Sequence, residues 1–512
     1  MSNGNGLPKG WASARLDEVA DISSNRKVAD LLPETPVNFV PMAAVREEFG
    51  GIDVSALRPY SEVQKGYTQF REGDVLLAKI TPCMENGKVA VVPRLDNECG
   101  YGSTEFHVLR PQSCIAPDWI AHYVSQKGFR REAQRNMTGS AGQLRVPKHW
   151  LQEQYIPVAP SSEQRRIVAK IEELFSDLDA GVAALERVKA KLKRYRAAVL
   201  KAAVEGKLTE AWRQKNRPKE TGRQLLDRIL QERRCKWEKE QIAAYEKAGR
   251  KPPAGWKDKY KEPTGPDESG LPELPDGWCW ASVAQVAEVQ GGIQKQPKRR
   301  PAQNDYPYLR VANVYRNRLD LSEVHKIELF GDELERLRLR AGDLLIVEGN
   351  GSITEIGRSA LWQDGIENCV HQNHIIRVRF LAGHPGYLNA FWNSPTGNAR
   401  VMESAASTSG LYTLSVAKVS SLPVPIAPVC EQEQIIAEVD RCLSIIEEAA
   451  SQITANLKRS ARLRQSILKR AFEGKLVPQD SNDEPASVLL ERIKATKDNG
   501  SPKTTRPARK TK

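Results

Sequence analysis

A long stretch that occurs twice in the chain constrains its fold more than any other feature. The first copy spans residues 163–208 and the second spans residues 431–476, and both begin with Glu-Gln and end with Glu-Gly-Lys-Leu. The offset between the copies is 268 residues at both ends, so they align without a gap. Apolar residues recur in each copy at three- and four-residue spacing, which predicts two long amphipathic helices.

Seven-residue spacing within both copies predicts a coiled-coil seam. The residues at this spacing are Ile171, Leu178, Leu185, Leu192 and Val199 in the first copy, and Val439, Ile446, Ile453, Ser460 and Ile467 in the second. A helix of this span would be about 70 Å long. Because the second copy supplies a partner within the same chain, we predict an antiparallel intramolecular coiled coil with pseudo-two-fold symmetry.

Two arginines, Arg196 and Arg464, lie at equivalent positions where the heptad pattern places the helix interface. One interpretation is heptad drift, in which both side chains extend to solvent. The other is that the arginines fix the register of the helix pair at some cost in stability. The sequence alone favours the first interpretation.

Each long helix is preceded by a segment with repeated turn and strand signals. Leu-Pro-x-Gly-Trp begins at Leu7 and again at Leu274, and a Gly-Asp pair precedes an apolar run at Gly73 and at Gly342. A Gly-Asp turn before such a run predicts a strand leaving a tight turn. The fold class is therefore α+β, with two strand-rich globules and two long helices.

Composition shifts along the chain predict its domain organisation. The predicted parts are a first globule at 1–162, a helical region at 163–233, a linker at 234–272, a second globule at 273–430, a second helical region at 431–496 and a basic disordered tail at 497–512. The linker prediction rests on the Lys, Glu, Pro and Gly content of that segment.

The charge balance indicates the class of partner. The chain has 77 basic and 64 acidic residues, a formal net charge of +13, which favours a large polyanion. No run of eighteen apolar residues occurs, so we expect no membrane partner and a cytoplasmic location. The spacing of His371 and His374 lacks the further ligands of a metal site, and no nucleophile signature occurs; we predict neither catalytic nor metal-binding residues.

Loops that follow the Gly-Asp strands, together with a Gly-containing loop near the end of each globule, are the predicted DNA-binding elements. Lys and Arg suit phosphates, whereas Arg, Asn, Gln and the hydroxyl residues suit base edges. The candidates are Lys79, Thr81, Lys88, Gln143 and Arg145 in the first globule, and Asn350, Ser352, Arg358, Ser409 and Tyr412 in the second. Arg358 is the candidate for a guanine edge. Arg130, Arg131 and Arg135 are also predicted to lie in loops of the first globule.

These repeated motifs resemble the DNA-specificity (S) subunit of type I restriction–modification systems over nearly the whole chain. The resemblance is carried by the two Leu-Pro-x-Gly-Trp starts, the Gly-Asp strands, the proline-bounded segments before Glu163 and Glu431, both Glu-Gly-Lys-Leu ends, and the segment at 483–493. It implies that each globule is a target-recognition domain for one half of a split DNA target.

The resemblance also implies a set of partners. Two modification subunits would dock on the helices and methylate adenine with S-adenosylmethionine, and an ATP-dependent restriction subunit is a further partner that the sequence leaves open. This chain would be non-catalytic and would hold neither cofactor. Two alternatives stay open: a DNA-reading subunit of a related phage-defence methylation system, and a coiled-coil protein scaffold that does not bind DNA.

Overall fold

The computed structural model describes residues 6–23, 31–140, 142–408 and 411–500 of the chain. Within those ranges no helix is both long enough and apolar enough to span a lipid bilayer. The backbone forms two compact units, one made of Met1–Glu186 and Thr454–Lys512 and the other of Arg187–Ile453. Each unit therefore contains one globule and one half of each long helix.

The first globule combines short strands with short helices. Its strands are β1 (Ala12–Arg15), β2 (Ala20–Ile22), β3 (Pro36–Val40), β4 (Leu57–Pro59), β5 (Thr68–Arg71), β6 (Val75–Ala78), β7 (Val89–Val91), β8 (Cys99–Gly102), β9 (Phe106–Pro111) and β10 (Tyr155–Val158). Its helices are α1 (Leu16–Val19), α2 (Tyr60–Val63), α3 (Pro117–Val124), α4 (Lys127–Arg135) and α5 (Lys148–Glu153). The first long helix, α6 (Ser161–Val204), follows.

The segment between α6 and the second globule is helical over much of its length. It contains α7 (Glu210–Lys215), α8 (Gly222–Lys247) and a short 3₁₀ turn at Trp256–Lys259. Helix α8 extends well into the predicted linker at 234–272, so the start of that linker was predicted wrongly. Composition misled the prediction because Lys, Glu and Arg are good helix formers as well as solvated linker residues.

The second globule contains strands β11 (Cys279–Ser282), β12 (Ala287–Gly291), β13 (Asp305–Leu309), β14 (Val314–Tyr315), β15 (Arg318–Leu319), β16 (His325–Glu328), β17 (Leu344–Val347), β18 (Gly349–Asn350), β19 (Ser359–Leu361), β20 (Val370–His371), β21 (Ile375–Phe380), β22 (Ala406–Thr408), β23 (Leu411–Thr413) and β24 (Pro423–Ile426). Its helices are α9 (Val283–Val286), α10 (Glu333–Leu337), α11 (Pro385–Asn393), α12 (Pro395–Ser404) and α13 (Val416–Ser421). The long helix α14 (Val429–Phe472) and α15 (Ala486–Gly500) complete the chain.

The two globules share a sheet topology. The order β2-β9-β6-β7 in the first matches β12-β21-β17-β19 in the second, and the pair β1-β10 matches β11-β24. The Gly-Asp strands, β6 and β17, are central in these sheets and fully buried. The predicted α+β class and the repeat are thereby confirmed.

The helix halves pair antiparallel within each unit. In the first unit the Arg464 guanidinium donates to the Asp179 carboxylate, and in the second Arg196 lies 3.6 Å from Glu447. Asp179 and Glu447 are separated by the same 268-residue offset as the two arginines. Residue numbers 179 and 464 also add to the same total as 196 and 447, so both units use one antiparallel register.

Arg464 and Arg196 differ in burial and in the length of their ion pairs. The Arg464 side chain is only 12% exposed and lies over the Phe175 ring at 5.2 Å, so the predicted extension to solvent is wrong for this residue. Arg196 is 34% exposed and has the longer ion pair. The burial of the heptad positions also varies along α6. Ile171 and Val199 are buried, whereas Leu185 is half-buried.

The C-terminal region departs from the prediction in one respect. Helix α15 continues through residues 497–500, where the sequence predicts a disordered tail. Residues 501–512 of that predicted tail lie outside the described residues. Leu489 and Ile493 of α15 are buried in the core of the first unit, which explains why the helix persists there.

Candidate nucleic-acid interface

The Glu-Gln pair at the start of each long helix fastens that helix to its globule. The indole N–H of Trp11 donates to Glu163 at 3.1 Å, and that of Trp278 donates to Glu431 at 2.9 Å. The following Gln164 donates to the carbonyl of Ala159 at 2.8 Å and accepts from the backbone N–H of Ala116. In each unit, the Trp of the Leu-Pro-x-Gly-Trp motif and the Glu of the Glu-Gln pair are thus joined by one buried hydrogen bond.

Gln432 repeats the contacts of Gln164 in the second unit. Its amide donates to the Ala427 carbonyl at 2.7 Å and accepts from the His384 backbone N–H at 2.9 Å. Buried side-chain amides of this kind are stabilising because they satisfy backbone groups that burial separates from water. Each globule is therefore held to its helix by the same set of hydrogen bonds.

The Gly-Asp motif supplies a buried ion pair. Arg110 donates to both carboxylate oxygens of Asp74 at 2.8 and 2.7 Å, and Arg379 does the same with Asp343 at 2.7 and 2.7 Å. Both aspartates are 1% exposed. Each also accepts from the backbone N–H of the residue three positions earlier, which closes the turn before the strand. These fork-shaped pairs fix the strand that leads to each candidate DNA-binding loop.

In the first globule the structure brings the predicted DNA-binding loops together. The backbone N–H of Thr81 donates to the Leu144 carbonyl at 2.9 Å, and the N–H of Val146 donates to the Lys79 carbonyl at 2.8 Å. Arg145 bridges both Ile80 and Thr138 in short antiparallel contacts. We call residues 79–88 together with 138–140 and 142–146 the first composite loop.

The second globule builds its loop from the same two parts. Strand β18 follows the Gly-Asp strand and pairs with β23, with Gly349 opposite Thr413 and Asn350 opposite Tyr412. The N–H of Leu414 donates to the Glu348 carbonyl at 2.7 Å. We call residues 348–358 together with 411–414 the second composite loop. Ser409 lies outside the described residues, as does the side chain of Asn350.

Several predicted DNA-binding side chains already have partners in the protein. Arg145 donates to both oxygens of Glu105 at 2.9 Å and to the Gln143 carbonyl at 3.0 Å. Arg358 donates to the backbone carbonyls of Val314 at 2.7 Å and Val311 at 3.1 Å. Because their guanidinium groups are bound within the protein, both arginines act as braces that stabilise the composite loops. The structure therefore does not favour Arg358 as a reader of guanine.

Two smaller candidates are also partnered. The Lys88 ammonium donates to the Met42 carbonyl at 3.1 Å, and the Thr81 hydroxyl donates to Glu85. Gln143 is exposed, and Ser352 is exposed with its hydroxyl 2.9 Å from that of Thr354. The exposed side chains of the composite loops are therefore better placed to meet a ligand than their arginines.

Three arginines predicted to lie in loops lie on helix α4 instead. Arg130 is 6% exposed and donates to the Glu85 carbonyl at 2.9 Å and to Glu48 at 3.0 Å. Its contact with Glu85 ties α4 to the first composite loop. Arg131 and Arg135 lie on the exposed face of the helix. Their positions fit the helical periodicity of Lys127–Arg135.

The histidines near β20 have different environments. His371 is fully buried with its Nδ1 3.0 Å from the Ile375 carbonyl, and burial lowers its pKa to about 4. His374 is exposed and lies 3.1 Å from Glu348 of the second composite loop. Within the described residues, no three His, Cys, Asp or Glu side chains converge as they would around a metal ion.

Sequence reasoning missed Glu105, the carboxylate that holds Arg145. The hydrogen bonds from Arg145 lower the pKa of Glu105, which stays ionised as the centre of the brace. Glu105 lies 40 residues from Arg145 in the chain, so no local pattern links the two. The position of Glu105 directly before the apolar run of β9 is a sequence feature that could have pointed to it.

Comparisons with known proteins agree with this architecture. The family model for the type I restriction modification DNA specificity domain matches residues 8–192. The specificity subunit of the type I restriction enzyme EcoKI from Escherichia coli K12 is 26% identical over 96% of both chains. That of EcoEI from Escherichia coli is 26% identical over 91% of this chain and 83% of the relative.

A solved structure supports the fold. A chain from a structure determined to explain complex assembly and conformational transition of the type I R-M system aligns with a TM-score of 0.60 and 20% identity. The alignment covers 92% of this chain and 99% of the other. Residues 8–192 thus match the DNA specificity domain of type I restriction–modification systems, and the chain is similar over nearly its whole length to type I specificity subunits.

Proposed function

We propose that the chain reads a bipartite duplex DNA target, with the first composite loop at one half-site and the second at the other. The paired long helices set the distance between the half-sites. The observation that carries this proposal is the matched loop construction, in which the same buried Asp–Arg pair holds the strand before each loop. Loops of different sequence on matching scaffolds suit the reading of two different half-sites.

The helices also dock two methyltransferase subunits in this proposal. Exposed apolar side chains on α6 and α14 support it, because Tyr195 is 54% exposed and Ile445 is 58% exposed. The methyl donor S-adenosylmethionine and the ATP for restriction would belong to partner subunits. The chain itself would act in the cytoplasm as a binding subunit without catalysis.

A matched pair of insertions tests the spacing role. One heptad is inserted after Glu186 in α6 and one after Thr454 in α14, which are equivalent positions in the repeat. Seven helical residues add about 10 Å, close to three base pairs of B-DNA. We expect methylation profiling in a host with the partner subunits to show a longer spacer and unchanged half-sites.

A control insertion separates spacing from general disturbance. The same seven residues inserted after Arg250, outside both long helices, should leave the spacer unchanged. Altered half-site sequences in the helix variant would refute the role of the helices in spacing.

Salt dependence distinguishes this function from a DNA-free scaffold. The affinity for duplex DNA should fall steeply and linearly with salt on a log–log scale, because Lys and Arg side chains displace condensed counterions. A chain that binds its protein partners but shows no salt-dependent DNA binding would be the scaffold instead.

A further inference from the structure

A polar cavity lies beside the first composite loop. Its volume is about 360 Å³, and Lys79 is part of its lining. The backbone of Lys79 is held on both sides, since its N–H donates to the Glu105 carbonyl at 2.9 Å and its carbonyl accepts from the Val146 N–H at 2.8 Å. The cavity is therefore fixed to the loop that is proposed to meet DNA.

Burial separates the walls of the cavity from its rim. Tyr101 and Phe106 are 3% and 2% exposed, so their rings form the inner wall. Gln64 is exposed and Tyr67 is 38% exposed, which places them at the opening. Burial raises the pKa of Tyr101, so its hydroxyl stays protonated at neutral pH.

The charge of the lining is low. Arg110 is neutralised by Asp74, and Asp21 accepts a hydrogen bond from Gln112 at 2.9 Å. Lys79 is the other cation of the lining, and its charge acts on the nearby Glu105 and His107. A phosphate is usually met by several cations, whereas amides, hydroxyls and one cation suit the edge of a base. Tyrosine rings also suit the flat face of a base.

The equivalent place in the second globule carries a buried arginine. In the first sheet Arg110 pairs with Asp21, and in the second Arg379 pairs with Glu288, so these two arginines lie at equivalent positions. Two residues earlier on the same strands, Val108 is therefore equivalent to Arg377. The Arg377 side chain is 3% exposed and donates to Gln290 and to the Arg336 carbonyl. Two matching sheets therefore differ at this position, with a cavity in one and a buried arginine in the other.

We propose that the cavity binds the edge of one base in the first half-site, and that Gln64, Tyr67 and Lys79 select that base. The inference rests on the proposed function, because it assigns the cavity to the same DNA half-site. Its volume is at the low end for ligand sites, which fits one base rather than a larger group. Gln64 supplies the donor and acceptor of its amide at the rim, the pattern that reads an adenine edge.

Replacement of the rim amide tests this assignment. The full chain carrying Gln64→Ala, together with its methyltransferase subunits, is profiled for methylated sites. We expect the preference at one position of the first half-site to fall about tenfold or more. The second half-site and the spacer should be unchanged. Tyr67→Phe, which keeps the ring, should give a smaller change at the same position.

A matched control and a folding measurement accompany the variants. Gln231→Ala changes an exposed glutamine on α8 and should leave the profile unchanged. Thermal unfolding of Gln64→Ala should match that of the wild type, because the side chain is exposed. Equal weakening at all sequences would assign Gln64 to a phosphate and overturn the proposal, as would an unchanged profile.

The failure of the proposed function would look different. In that case the wild-type complex would methylate no defined bipartite sequence. A wild-type complex with a defined target and a Gln64→Ala complex with the identical target would contradict the cavity alone.

Discussion

In the first globule Asp74 holds Arg110, and in the second Asp343 holds Arg379 at almost the same distances. The loops that follow these pairs differ in almost every side chain. Arg145 is braced by a carboxylate, whereas Arg358 is braced by backbone carbonyls. The comparison teaches that the repeated residues are those with buried partners, and that the differing residues lie in the loops that those partners support.

The largest expected effect tests the shared ion pairs. Asp74→Ala or Asp343→Ala leaves a largely buried arginine without its carboxylate, which should cost about 3–5 kcal/mol of unfolding free energy. Urea unfolding measures the change. Asp227→Ala on the exposed face of α8 is the control and should have little effect. If one aspartate variant unfolds like the wild type, the Asp–Arg ion pair does not stabilise that globule, and the two globules are not equivalent in this respect.

A second prediction uses the unequal surroundings of Glu163 and Glu431. Glu431 accepts hydrogen bonds from Arg213 at 2.9 Å and Thr209 at 2.8 Å as well as from Trp278. Glu431→Gln should therefore cost about 2 kcal/mol, since a charged partner is lost. Urea unfolding at pH 7 measures this loss, whereas Glu163→Gln should not destabilise the chain at that pH.

The pH dependence at Glu163 has a defined sign. Burial raises the pKa of Glu163 above its usual value of 4.5, so the folded state holds the proton more tightly than the unfolded state. The resulting stability is present below pH 4.5 and is lost as pH rises through the raised pKa. Glu163→Gln should remove this loss. An unchanged pH profile of unfolding would contradict the assignment to Glu163.

The smallest effect concerns the helix pair. Arg464→Leu removes a side chain that lies over Phe175 and binds Asp179, and it should cost about 1 kcal/mol. Arg196→Leu should cost less than about 0.5 kcal/mol, because its ion pair with Glu447 is longer and more exposed. Thermal unfolding distinguishes the two variants. Equal costs would mean that the two halves of the helix pair are equivalent despite their different burial.

Much of the fold could be predicted from the sequence because its signals are local or periodic. The long helices follow from the apolar spacing, and the central strands follow from the Gly-Asp turns at Gly73 and Gly342. The candidate site was predicted only in outline. The two loops of each globule do meet, but Arg145 and Arg358 proved to be braces, because an arginine in a sequence gives no sign of a carboxylate or carbonyl nearby.

The sequence by itself determined the repeat, the antiparallel helix pair and the positions of the Glu-Gln pairs that join each helix to its globule. Each of these depends on spacing along the chain. The tertiary structure decided which groups form hydrogen bonds with the Glu-Gln pairs. Trp11 and Glu163 are 152 residues apart, and only folding brings them within hydrogen-bonding distance. It also decided that a cavity lies beside Val108 in one globule whereas the equivalent Arg377 is buried in the other, since packing depends on side chains that are distant in sequence.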